Sequence, residues 1–148
     1  MDATEQSAAS NALSPLTKVP IAQLSPALEK LDKRKIQAAV TLVWPYSSST
    51  KSLSILLSEP DFRLRRFNGQ VKATFHGRVA ERIAESQVGI GDTVGLALAG
   101  SEFVANDAAT QTPGRCVAWD VHFKKGVLLE VRQARRLHIS THMLMPRL

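Results

Sequence analysis

From Ile36 the chain alternates between apolar and intervening positions: Ile36, Ala38, Val40, Leu42 and Trp44 share one side, with Gln37, Ala39, Thr41 and Val43 between them. A period of two predicts a strand whose apolar face meets a core. Turn-forming residues run from Pro45 to Thr50, and Leu53, Ile55 and Leu57 then alternate with Ser52, Ser54, Leu56 and Ser58, so a second strand returns as a hairpin. Glu59-Pro60-Asp61 ends it. The stretch Phe62 to Gly69 is a basic, aromatic-flanked connection to a third strand, with Val71, Ala73 and Phe75 on the core phase and Lys72, Thr74 and His76 on the other.

Between Arg78 and Gln87 the period becomes helical, with Val79 and Ile83, joined by Ala80 and Ala84, opposite Glu81, Arg82 and Glu85. Val88 to Asp92 closes that helix. Val94, Leu96 and Leu98 predict a fourth strand ending at Gly100, and residues 101–114 form a long polar loop closing at Pro113-Gly114. A fifth apolar face follows in Val117, Trp119, Val121 and Phe123, with a bend or bulge at Lys124-Lys125-Gly126 before Val127 to Val131. Upstream, Leu24, Leu28 and Leu31 fall at helical spacing behind Ser25-Pro26 and predict a short N-terminal helix ending near Asp32.

Three strands, a helix and two further extended runs give the element order of an OB-fold, a five-stranded Greek-key β-barrel with its helix between strands three and four. The fold class expected is therefore all-β. Residues 1–20 read as a flexible lead-in, 21–132 as the OB domain with its preceding helix, and 133–148 as a basic tail.

Composition narrows the function. At 148 residues and 44% hydrophobic, the chain fits one globular domain with tails and excludes a large multidomain enzyme. The formal charge is +6, and residues 1–32 carry −2 of it, which leaves +8 on residues 33–148. Acidic partners such as nucleic acid are favoured by that balance. A single cysteine, Cys116, forms no intrachain disulfide and, with no signal-peptide run or membrane-length apolar stretch, points to a soluble intracellular protein without membrane association.

Catalytic motifs are missing: there is no GxxxxGK[ST], HExxH or GxSxG, so a non-enzyme without cofactor is expected. Gly89-x-Gly91 follows a helix and precedes a strand, the reverse of a dinucleotide loop, and reads as a helix stop. His138 and His142 stand four apart without a third ligand, so no metal site is expected, and Cys116 reads as a packing residue. His76 and His122 fall on the outward phase of their strands, and Trp44 and Trp119 on the core phase.

What remains is basic and aromatic together. Single-strand binding needs cations for phosphates and flat side chains for bases, and OB-folds place both on strands two and three and on loops 1-2 and 4-5. Tyr46 and Lys51 at the first loop, Arg63, Arg65, Arg66 and Phe67 before strand three, and Lys72, Thr74 and His76 on its outward phase are the candidates. Arg63, Arg65 and Arg66 read equally as a solvated charge run, Phe67 as core, and Tyr46 as a loop anchor.

Val40-Thr41-Leu42-Val43-Trp44-Pro45-Tyr46, Leu53 to Leu57, Gln70 to Gly77 and Gly89-Ile90-Gly91-Asp92-Thr93-Val94 together resemble the telomeric single-stranded-DNA-binding OB domain of the protection-of-telomeres and telomere end-binding type, as found in fungi. The similarity spans about Lys35 to Val131. It implies binding of G-rich telomeric single-stranded DNA in the nucleus, at chromosome ends, alongside other telomere proteins, through Tyr46, Lys51, Arg63, Arg65, Phe67, Lys72 and His76. The alternative is an OB domain that recruits protein partners and has little DNA affinity of its own.

Overall fold

The computed structural model describes residues 13–106, 116–133 and, for the backbone, 138–144. The lead-in before residue 13, the polar loop over 107–115 and the tail residues 134–137 and 145–148 lie outside the described residues. Among the described residues the fold is all-β with one short helix. Strands β1 (Thr17–Lys18), β2 (Arg34–Ser47), β3 (Ser52–Ser58) and β4 (Gln70–His76) precede helix α1 (Arg78–Glu85), and β5 (Thr93–Ala97), β6 (Ser101–Ala105), β7 (Trp119–Phe123), β8 (Val127–Gln133) and β9 (His138–Leu144) follow it.

Eight of these strands form one hydrogen-bonded path in the order β6-β7-β4-β3-β2-β5-β8-β9, with β1 parallel beside β2. The ladder therefore holds more than the five strands expected, and by its hydrogen bonds it stays open where a closed barrel was expected. The reason is local. The expected fifth strand breaks at Lys124-Lys125-Gly126, so β7 pairs parallel with β4 while β8 pairs antiparallel with β5. Ser101–Ala105, expected as loop, pairs with β7, and His138–Leu144, expected as tail, pairs with β8.

Covalent reach then bends the sheet. On a flat ladder β7 and β8 would lie five strand spacings apart, about 24 Å. The chain from Phe123 to Val127 spans at most about 14 Å. The sheet must curl, and its inner face encloses Ile36, Val40, Ile55, Leu57, Val71, Phe75, Val94, Leu96, Phe123 and Leu129, all nearly inaccessible to solvent. Phe75 and Phe123, on paired strands, stack with centroids 5.3 Å apart. Helix α1 adds Val79, Ala80 and Ile83 to this core, the face its period predicted, while Ala84 is exposed.

Strand β2 departs from its expected alternation. Val40 pairs with Leu57 but Leu42 with Leu56, so Thr41 is an extra residue, and a second shift lies between Trp44 and Ser47. Each bulge exchanges the two faces of the strand. Val43 and Tyr46 pack against the core in place of Leu42 and Trp44, which are 41% and 39% exposed. The Thr41 hydroxyl faces the Leu56 carbonyl at 3.3 Å and the Ser58 hydroxyl at 3.0 Å, and Pro45 has no N–H to leave unpaired in the second bulge. Trp119, also expected in the core, is half-buried.

The N-terminal helix is replaced by two 3-10 turns, Ile21–Gln23 and Leu31–Lys33. Lys30 adopts a left-handed conformation at φ 56°, which ends any helix through Leu28. Leu24 is buried and Leu28 and Leu31 are half-buried against the core, so the apolar spacing is used without the helix. Leu13 and Val19 are buried as well, which ties residues expected in the lead-in to the domain.

Glu59 fastens this strap: its carboxylate is buried at 4% exposure and accepts the Ile21 N–H at 2.7 Å. Glu59→Ala leaves that buried donor unsatisfied and is expected to cost about 1–3 kcal/mol in urea denaturation. Unchanged stability would show that the contact holds nothing. At Gly69 a Cβ would clash with the Leu64 carbonyl oxygen, a backbone atom that cannot swing aside. Gly69→Ala is expected to destabilise by about 1–3 kcal/mol, against a neutral result if the loop relaxes.

Candidate functional site

The sheet's outward face over β3 and β4 is read along its cross-strand rows. One row runs Trp44, Ser54, Thr74, His122 and Glu102, the next Leu42, Leu56 and Lys72, and a third Ser47, Ser52 and His76. Opposed residues of such rows interact directly. The bulge at Thr41 places Leu42 and Trp44 on this face, so it carries an indole that the alternation alone assigns to the core. The Lys72 ammonium lies 4.5 Å from the centre of the Trp44 ring, a cation–π contact.

The nine residues singled out in the sequence divide among three places. Lys72, Thr74 and His76 share the outward face. Thr74 is buried and its hydroxyl bonds that of Ser54 at 2.9 Å, so it supports the face from beneath. Lys51 stands exposed in the hairpin between β2 and β3 at φ 52°, and its carbonyl accepts the Gly77 N–H at 2.8 Å. Tyr46 packs against the core and donates its hydroxyl to Glu81 of α1 at 3.3 Å, which favours the anchor reading over the stacking one.

Arg63, Arg65, Arg66 and Phe67 occupy the connection between β3 and β4, at the opposite end of those strands from Lys51. Six residues of strand, about 20 Å, separate the two ends. Arg63 pairs with Asp61 at 3.2 Å, and Arg65 donates to the Glu59 carbonyl and stacks 4.2 Å over the Phe62 ring. Phe67, read equally as core, is 75% exposed, and Arg66 is exposed.

The sequence gives no local sign of the pairing that joins His76 to His122. Their strands run parallel, and His76 Nε2 meets His122 Nδ1 at 2.7 Å with the rings stacked 5.0 Å apart. One ring must donate and the other accept, so the contact needs a neutral imidazole. Burial pushes both pKa values down; for His122 the charge of His76 comes next, Lys124 acts the same way on both, and Glu102, with Asp120 for His122, opposes. Lys124 and Glu102 pair with each other at 3.2 Å beside the rings.

Other candidates resolve into structure. The Gly89 N–H donates to Asp92 Oδ2 at 2.8 Å and the Gly91 N–H to the Val40 carbonyl at 2.9 Å, so the Gly-x-Gly-Asp turn enters β5 and cradles no phosphate. Burial, then Asp120, pushes the Cys116 thiol up, away from the reactive thiolate, and the sulfur faces the Gln70 amide oxygen at 3.6 Å. Among the described residues no cluster of three or more His, Cys, Asp or Glu side chains is placed to hold a metal ion, and no helix is long and apolar enough to cross a membrane.

The imidazole pair makes stability depend on pH. Because folding lowers both pKa values, the unfolded chain binds more protons, so stability is full above the ordinary histidine value of about 6.5 and falls as pH drops through and below it. NMR titration is expected to place both midpoints below about 6.5. The His76→Ala/His122→Ala variant should lose less stability than the parent between pH 7.5 and 5.5, and equal losses would remove the pair as the cause.

No curated protein matches the chain. A family model described as a domain of unknown function, DUF8502, matches residues 15–141. That span starts just before β1 and ends inside β9, so it takes in both the outward face and the loop between β3 and β4. The chain belongs to this DUF8502 family.

Proposed function

We propose that the protein is an OB-type module that binds single-stranded DNA along the outward face of β3 and β4. The observation that carries this reading is Trp44, turned to solvent by a bulge and capped by Lys72. An exposed indole offers a surface on which a base stacks, and the adjacent ammonium offers a partner for its phosphate. The OB order is supported by β2 pairing with both β3 and β5, by α1 between β4 and β5, and by the parallel pairing of β4 with β7. Binding on such a face is non-covalent, so no catalytic step and no cofactor belongs to the proposal.

The +8 of residues 33–148 supports an anionic partner, and the resemblance to telomeric OB domains makes G-rich telomeric single strand the partner proposed, at chromosome ends in the nucleus. In this scheme Trp44 stacks, Lys72 neutralises, and Lys51 extends the path at the hairpin. His76 with His122 supplies a polar edge. Tyr46 holds the hairpin end of β2 to α1.

Fluorescence anisotropy with a labelled G-rich strand, a scrambled strand and the duplex tests the proposal. The telomeric strand should bind most tightly, Trp44→Ala should weaken it roughly 5- to 150-fold, and Lys72→Gln should lower the slope of log K against log salt by about 1. Equal weak binding to all three nucleic acids, or affinity indifferent to both substitutions, would overturn the proposal.

A further inference from the structure

The connection between β3 and β4 exposes three large apolar side chains within six residues: Phe62 at 73%, Leu64 at 49% and Phe67 at 75%. Such exposure is unfavourable unless something covers it. The loop is not a loose strand. The Arg63 N–H donates to Asp61 Oδ1 at 2.9 Å, the Leu64 N–H to the Asp61 carbonyl at 3.0 Å, and the Phe67 N–H to the Leu64 carbonyl at 3.4 Å. Its base is closed by the Glu59 N–H on the Gly69 carbonyl at 2.9 Å, and Glu59 is itself buried against Ile21. The aromatic rings are thus held outward by a preformed backbone.

Its charge distinguishes it from the outward face. Glu59 and Asp61 offset two of the three arginines in the segment, which leaves about one net positive charge, little for a polyanion. Arg63 is already engaged by Asp61, and Arg65 by the Glu59 carbonyl and the Phe62 ring. Leu64 offers no surface on which a base stacks. Phenylalanine and arginine together, rigid and exposed, are instead the composition enriched where proteins meet.

We infer that the loop from Asp61 to Asn68 is a docking surface for a segment of another protein in which acidic residues alternate with apolar ones. Its apolar side chains cover Phe62, Leu64 and Phe67, and its carboxylate meets the exposed guanidinium group of Arg66. This inference stands apart from the DNA reading, because it uses none of Trp44, Lys72 or His76.

The test is selection of phage-displayed random peptides on the full chain, with counter-selection on the Phe62→Ser/Phe67→Ser variant. Both residues are exposed, and an unchanged circular dichroism spectrum and thermal midpoint confirm that the variant folds. The enriched peptides should combine Asp or Glu with apolar residues, and labelled copies should lose about tenfold or more in affinity for that variant and for Arg66→Glu. Telomeric-strand affinity of the double variant should be unchanged. Peptides without acidic residues, or peptides that survive counter-selection, would overturn the inference. So would self-association of the chain that the double serine variant abolishes, which would make a second copy the occupant, or a tenfold loss of oligonucleotide binding, which would return the loop to the nucleic-acid interface.

Discussion

Three residues, Lys124-Lys125-Gly126, govern the shape of this domain. They join a strand that belongs beside β4 to one that belongs beside β5, and no flat sheet can satisfy both pairings across so short a link. Curling follows from chain length alone. Once curled, the sheet has an inside, filled by Phe75, Phe123 and the aliphatic residues around them, and an outside on which β2 presents Trp44 beside Lys72 and His76 of β4. Lys124 serves the outside as well, since its ammonium pairs with Glu102 next to the two imidazoles.

Much of this was legible in the chain. Leu53, Ile55 and Leu57, and Val71, Ala73 and Phe75, are buried on the phase their alternation indicates, because on those strands the ladder runs without a bulge. Helix α1 likewise buries the residues its period selects, apart from Ala84. Strand β2 misleads because Leu42 and Trp44 are as apolar as Ile36, and the bulge that turns them outward resides in the hydrogen bonding of Thr41, which composition does not register. The strands at the two ends of the path, β6 and β9, read as loop and tail because edge positions carry polar residues such as Ser101, Glu102 and Thr141.

The candidate site was legible in its ingredients and illegible in its grouping. Lys72 and His76 share a strand face, as two-residue spacing requires, but their partners Trp44 and His122 arrive through strand pairing and a parallel register between distant segments. Arg63 to Phe67 looked continuous with Lys72 in sequence. In space the segment stands at the opposite end of the hairpin from Lys51, and the Asp61 carboxylate takes up part of its charge. Two surfaces of different chemistry thus stand at one end and along the length of the same hairpin.

The two irregularities in β2 have a meaning beyond the residues they expose. Inside and outside along that strand are decided by parity: even positions point inward through Val40, an odd one does at Val43, and an even one again at Tyr46. The first bulge acts as a frameshift and the second restores the frame, so the altered stretch is confined to the few residues between them. A strand built this way can change what it shows to solvent over a single turn of its length while the core residues before and after keep their places.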